Sequence, residues 1–133
     1  MNEYTIPALL CEYLNSIETI ETVFVPETLR EGSATVFLSG GETTLREYIN
    51  GSSVVSVPFE IRLRCGSSSV RERLDAVDFF TRIKAYAENN PVHITENEDG
   101  QIMSTGGIFK SAVFENGDEE YRGAFSFRYM KKA

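Results

Sequence analysis

From Val55 to Cys65 the odd positions read Val55, Val57, Phe59, Ile61, Leu63 and Cys65, and the even positions Ser56, Pro58, Glu60, Arg62 and Arg64. Successive side chains of a strand point to opposite faces, so this run is a long strand with one apolar and one polar face. Such a strand demands a sheet covered on one side only, and every other element has to be placed against that covered face. Asn50-Gly51 precedes it, the pair that most readily supplies two positive φ angles, so Thr43 to Ile49 and Ser53 to Cys65 should form a hairpin. Pro58 lacks a ladder donor and predicts a bulge, an edge position or a bend that divides the long strand in two.

Elsewhere the period changes. Ile6, Leu9, Leu10, Tyr13, Leu14 and Ile17 recur at helical spacing, with Thr5 placed to cap and Pro7 in the first turn, predicting a helix from about Pro7 to Ser16. Ala34 to Leu38 reads as a short strand ended by Gly40-Gly41, and the segment between Ile17 and Ala34 is left undetermined. Ser69 and Glu72 have capping-box spacing. After them Val70, Leu74, Val77, Phe80, Ile83 and Ala87, widened by Ala76, Phe79 and Tyr86, make the apolar stripe of a helix reaching Glu88 before Asn89-Asn90-Pro91. Val92 to Thr95 is a candidate strand, Glu96 to Gly100 a polar turn, and Gly106-Gly107 a bulge or bend. Ile108 to Phe114 and Tyr121 to Tyr129 then form a second hairpin, with Tyr121, Phe125, Phe127 and Tyr129 on one face. These elements predict a single α/β (α+β) domain over residues 1–133, a mostly antiparallel sheet of about four to six strands with two helices packed on one face.

Composition narrows the class. A chain of 133 residues suits one core, and 41% hydrophobic with 25% charged residues is a globular balance. No apolar run approaches the roughly 20 residues of a membrane span, and the start lacks a signal-peptide pattern, so a soluble cytoplasmic chain is expected. A net charge of -7 opposes binding to nucleic acid through phosphate neutralisation. Cys11 and Cys65 lie on apolar faces without a CxxC motif and are expected to be buried free thiols.

The chemistry-bearing residues do not assemble into a catalytic pattern. His93 is the only histidine and has no nominated partner or nucleophile. Glu96, Glu98 and Asp99 lack the twelve-residue calcium-loop spacing and read as a solvated turn. Glu115, Asp118, Glu119 and Glu120 read as a hydrated hairpin tip or a like-charged surface with a purpose. Neither glycine pair lies between a strand and a helix as a phosphate cradle requires. Arg62 and Arg64 share a strand face, and Arg71 and Arg73 lie near the start of the following helix. These four arginines are the candidate subunit or partner interface, pairing with acidic neighbours in the same or an adjoining subunit. No enzyme activity, cofactor or metal is expected.

The order of elements, with Tyr48-Ile49-Asn50-Gly51, Phe59-Glu60-Ile61-Arg62-Leu63-Arg64 and a closing Phe125-Ser126-Phe127-Arg128-Tyr129, resembles the minor capsid and tail-terminator proteins of long-tailed bacteriophages and prophages. The resemblance implies a virion protein, assembled in the host cytoplasm, that forms a hexameric ring capping the tail tube and joining it to the head. Its implied partners are further copies of itself, the tail tube and the head-completion proteins. DNA would pass through without specific binding. Glu96, Glu98, Asp99, Asp118, Glu119 and Glu120 would be candidates for a lumen that repels phosphate. The alternative is a small cytoplasmic ligand-binding or regulatory module with a pocket between helix and sheet, lined by Phe79, Phe80, Tyr86, Phe125 and Phe127.

Overall fold

The computed structural model describes residues 5–20, 22–25, 33–65, 70–95 and 98–132, the side chains of 70–74 and 95 excepted. In chain order the elements are α1 (Thr5–Asn15), β1 (Val23–Phe24), β2 (Ser33–Leu38), β3 (Thr43–Glu47), β4 (Ser53–Cys65), α2 (Val70–Asn89), β5 (Val92–Thr95), β6 (Glu98–Val113) and β7 (Glu119–Lys131). The strands form one sheet in the order β1-β2-β4-β7-β6-β5, with β3 also paired to β4. All pairings are antiparallel except β1 with β2.

This corrects the expected fold class. Among the described residues the chain is mostly β, with seven strands against two helices, and its sheet curls into a half-barrel instead of lying as a platform with helices on one face. The strands are more numerous and longer than the sequence pattern indicates. Glu98 to Gly100, expected as part of a polar turn, opens the 16-residue β6, and the bulge or bend expected at Gly106-Gly107 lies within that strand, where its register against β7 shifts. The curl has a local cause: the register of β6 against β7 shifts between Ser104 and Ile108 and again between Lys110 and Ala112, and β3 shifts against β4 between Thr44 and Arg46. Extra residues on one strand bend it and increase its twist, so bulges on both flanks of the β4–β7 pair curl the sheet.

The concave side holds one core. Val55, Val57, Phe59, Ile61 and Leu63 of β4 and Tyr121, Phe125, Phe127 and Tyr129 of β7 are buried there with Ile6, Leu10, Cys11 and Leu14 of α1. From α2 come Ala76, Phe79, Phe80, Ile83 and Ala87, while Val77, expected in the same buried stripe, is exposed. Val70 and Leu74 of the expected stripe, and the Ser69–Glu72 capping box, fall outside the described residues or side chains. Phe59 of β4 faces Phe125 of β7 in register, their rings stacked at 5.7 Å, so two of the runs quoted above pair directly.

Pro58 does not divide β4, which runs unbroken for 13 residues. Its effect falls on the neighbours. β3 pairs with Ser53 to Ser56 and β2 with Phe59 to Leu63, so two strands share one edge of β4 and meet beside Pro58. The Pro58 carbonyl accepts from Ser39 N–H at 3.0 Å on that edge, and the missing donor faces the gap between the two partners.

Both long hairpins close on the same five-residue turn, Tyr48-Ile49-Asn50-Gly51-Ser52 and Phe114-Glu115-Asn116-Gly117-Asp118. Tyr48 N–H donates to the Ser52 carbonyl at 2.8 Å and Phe114 N–H to the Asp118 carbonyl at 2.8 Å. Each Asn side chain accepts from the backbone N–H two residues on, at 3.0 Å in both turns. Gly51 and Gly117 have φ of 88° and 90°, angles that other residues adopt only with strain.

Candidate functional site

The convex face carries the arginines singled out in β4. Arg62 stands opposite Arg122 of β7, and two like charges in register repel unless acids lie between them. They do. Glu60 Oε2 lies 3.2 Å from Arg62 Nη2 and 3.5 Å from Arg122 Nη1, and Glu120 closes the ring at 3.9 Å from Arg62 Nε and 3.5 Å from Arg122 Nη2. Ser111 donates its hydroxyl to Glu120 at 2.8 Å. Arg64 donates to Asp118 at 2.9 Å. The guanidinium of Arg62 lies over the ring of Phe37 at 3.9 Å and that of Arg64 over Phe114 at 4.0 Å, contacts that favour a cation over a π face.

Asp118, Glu119 and Glu120 are thus buried in the second hairpin, while Glu115 at the turn is exposed. Glu119 is on the concave side, accepting from the Tyr121 hydroxyl at 2.7 Å and lying 3.7 Å from Lys110. Their charges meet partners within the chain. The structure brings Arg62 and Arg64 together with Asp118 and Glu120. The side chains of Arg71 and Arg73 lie outside the described residues, as does Glu96. Glu98 pairs with Lys132 at 3.0 Å, and Asp99 with His93 Nδ1 at 2.6 Å across β5 and β6, so these two acids diverge. The His93 and Asp99 side chains are 77% and 51% exposed, which makes this a surface pair. No group of three His, Cys, Asp or Glu among the described residues is placed to hold a metal.

What the sequence pattern did not expose is the sheet's margins. β5 covers β6 only from Glu98 to Gly100, so from Gln101 to Val113 the outer edge of β6 has no strand partner among the described residues. Met103, Phe109 and Val113 on this strand are exposed. On the opposite flank β3 is exposed at all five positions and pairs only with β4. Leu45 is 48% exposed, Tyr48 41%, and Ile49 stands fully in solvent. The signal was present in Leu45 and Ile49, apolar residues with no buried counterpart.

Alongside the open part of β6 runs a groove against α2, made of two adjoining hollows of about 250 and 200 Å³. Lys84 of α2 and Ser104 of β6 border both, and Phe125 forms the floor of both. Of the five aromatics expected to line a pocket, Phe80 and Phe125 border the groove, Phe79 and Phe127 lie in the core, and Tyr86 is tilted against Tyr13 at 5.6 Å. A third hollow of about 340 Å³ lies between α1 and β5, beside Tyr13 and His93.

Both cysteines are free, Cys11 buried and Cys65 half-buried. Burial pushes the Cys11 thiol up to about 11, against a lowering contact from the Val36 backbone, so it stays protonated and unreactive at neutral pH. No helix of the described residues is long and apolar enough to cross a membrane. No protein-family model matches the chain, and no curated protein matches it.

Proposed function

We propose that this chain is a structural subunit of a long-tailed phage or prophage particle, a tail-terminator-like protein that self-assembles into a ring at the end of the tail tube. The observation that supports it is the pair of open sheet edges on opposite flanks of one curled sheet. An unpaired edge is a row of free backbone donors and acceptors, and proteins that keep such edges bare expose themselves to pairing with other chains. Two different edges on one subunit favour head-to-tail contacts, which close into a ring when the rotation per subunit divides a full turn.

The motifs that carry the resemblance occupy the middle of this arrangement. Tyr48 to Gly51 form the exposed hairpin turn, and Phe59 to Arg64 lie in β4 beside Phe125 to Tyr129 of β7. Capping then requires only that one ring face match the tube and the other not. Electron microscopy of particles assembled without this chain tests the role. Overlong or headless tails are the expected result, and normal virions would refute it.

A further inference from the structure

Resting on the self-assembly proposed above, we infer that the ring contact is strand addition: β3 of one copy docks on the open edge of β6 in the next, beside the α2–β6 groove. The edge supplies main-chain hydrogen bonds, and the groove next to it receives alternate side chains of the added strand, the usual division between affinity and specificity in strand augmentation. The five residues of β3 fit within the uncovered stretch from Gln101 to Val113. β3 also brings apolar surface that its own chain leaves in water, at Leu45 and Ile49.

Charge selects the occupant. Of the two charged residues on the α2 wall, Glu88 borders one hollow of the groove and Lys84 borders both; Lys84 is exposed and has no ion-pair partner among the described residues. Glu47 of β3 is likewise exposed and unpaired. Glu47 faces Ser53, the β4 position that continues the odd-numbered face, so it lies on the same side of the sheet as α2. When the sheet continues from one copy into the next, Glu47 arrives on the side where Lys84 stands. An isologous β6–β6 contact would instead bring Lys84 toward its own copy and leave β3 bare.

The test is a charge swap followed by sedimentation of the intact chain over a wide concentration range. Wild-type protein is expected to associate. Lys84→Glu and Glu47→Lys should each weaken association about tenfold, because an exposed attraction is replaced by a like-charge contact. Both residues are exposed, so the monomer's melting temperature should not move, and circular dichroism checks this. An equimolar mixture of the two variants should recover association, since each then meets the opposite charge, and so should the double variant. A wild-type monomer at every concentration would overturn the contact. So would a Glu47→Lys variant that associates normally, or a mixture that fails to recover. If wild type forms a ring that the swaps leave intact, the strand contact is wrong and the capping role stands, because the particle experiment reads that role separately.

Discussion

The two hairpins share a turn and differ in almost everything beyond it. In the β6–β7 hairpin, Asp118, Glu119 and Glu120 follow the glycine and are buried against Arg64, Lys110 and the Arg62–Arg122 ring. In the β3–β4 hairpin, Leu45, Tyr48 and Ile49 precede the glycine and lie in water. Charged residues are inside in one and apolar residues outside in the other, the reverse of the usual partition. The first inversion is resolved within the chain by ion pairs. The second has no resolution within the described residues, and for that reason the β3–β4 hairpin, together with the exposed Met103, Phe109 and Val113 of β6, is where a partner is to be sought.

Both hairpins lean on the β4–β7 pair, so the largest effect is expected there. Phe59→Ala, at a site with no exposed surface, should cost about 3–5 kcal/mol in chemical denaturation and loosen both hairpins together. A crowding test gives a similar message from the opposite direction. A Cβ on Gly123 would lie 2.8 Å from the Phe80 ring, so Gly123→Ala should cost about 1–3 kcal/mol.

Asp118→Ala breaks the comparison on the buried side. It leaves the Arg64 guanidinium, only 19% exposed, without its carboxylate, and should cost roughly 1–3 kcal/mol by denaturant titration. Ile49→Asp is its counterpart on the open hairpin. It should stay within about 0.5 kcal/mol of wild type while reducing association, which separates folding from assembly. Gly51→Ala and Gly117→Ala sharpen the sameness of the turns: both force a Cβ into positive φ, and the two losses should agree, at about 1–2 kcal/mol each.

The smallest effect is pH dependence near the β3–β4 end. Lys131 donates to Glu42 at 2.9 Å and holds its carboxyl below the ordinary 4.5, and the Tyr129 hydroxyl adds a second donor at 3.2 Å. A depressed carboxyl stabilises the fold fully above its unfolded value, and that contribution disappears as pH falls through the folded value. Tyr129 is shifted the other way, from 10.0 up to about 12, first by burial and then by Glu42. Its contribution is complete below about 10 and lost as pH rises toward 12. Glu42→Gln should flatten the acid limb of the melting curve, and Tyr129→Phe the alkaline limb.

Much of the centre was legible in the chain. The alternation of β4, the Asn-Gly turn and the stripe of α2 are local patterns, and each locates its element. The first half of β6 was not, because Asp99, Gly100, Gly106 and Gly107 are residues depleted in strands and the stretch lacks apolar alternation. That stretch is strand because β5 pairs with Glu98 to Gly100 and β7 with Gln101 to Ser104, a tertiary fact. The burial of Asp118 and Glu120 was hidden for a related reason: Arg64 and Arg62, their partners on β4, lie more than fifty residues away and become neighbours only once the β4–β7 register is fixed. The open margin of β6 depends on how little of it β5 covers, which no local pattern encodes.

Backbone amide exchange, followed from dilute to concentrated protein, tests the central claim most directly. The centre of β4 and β7 should be slow throughout, while the outward-facing amides of β3 and of β6 from Gln101 to Val113 exchange rapidly when dilute and gain protection together on concentration. Protection that appears on neither edge, or that grows on another surface while both edges stay open, would contradict the account.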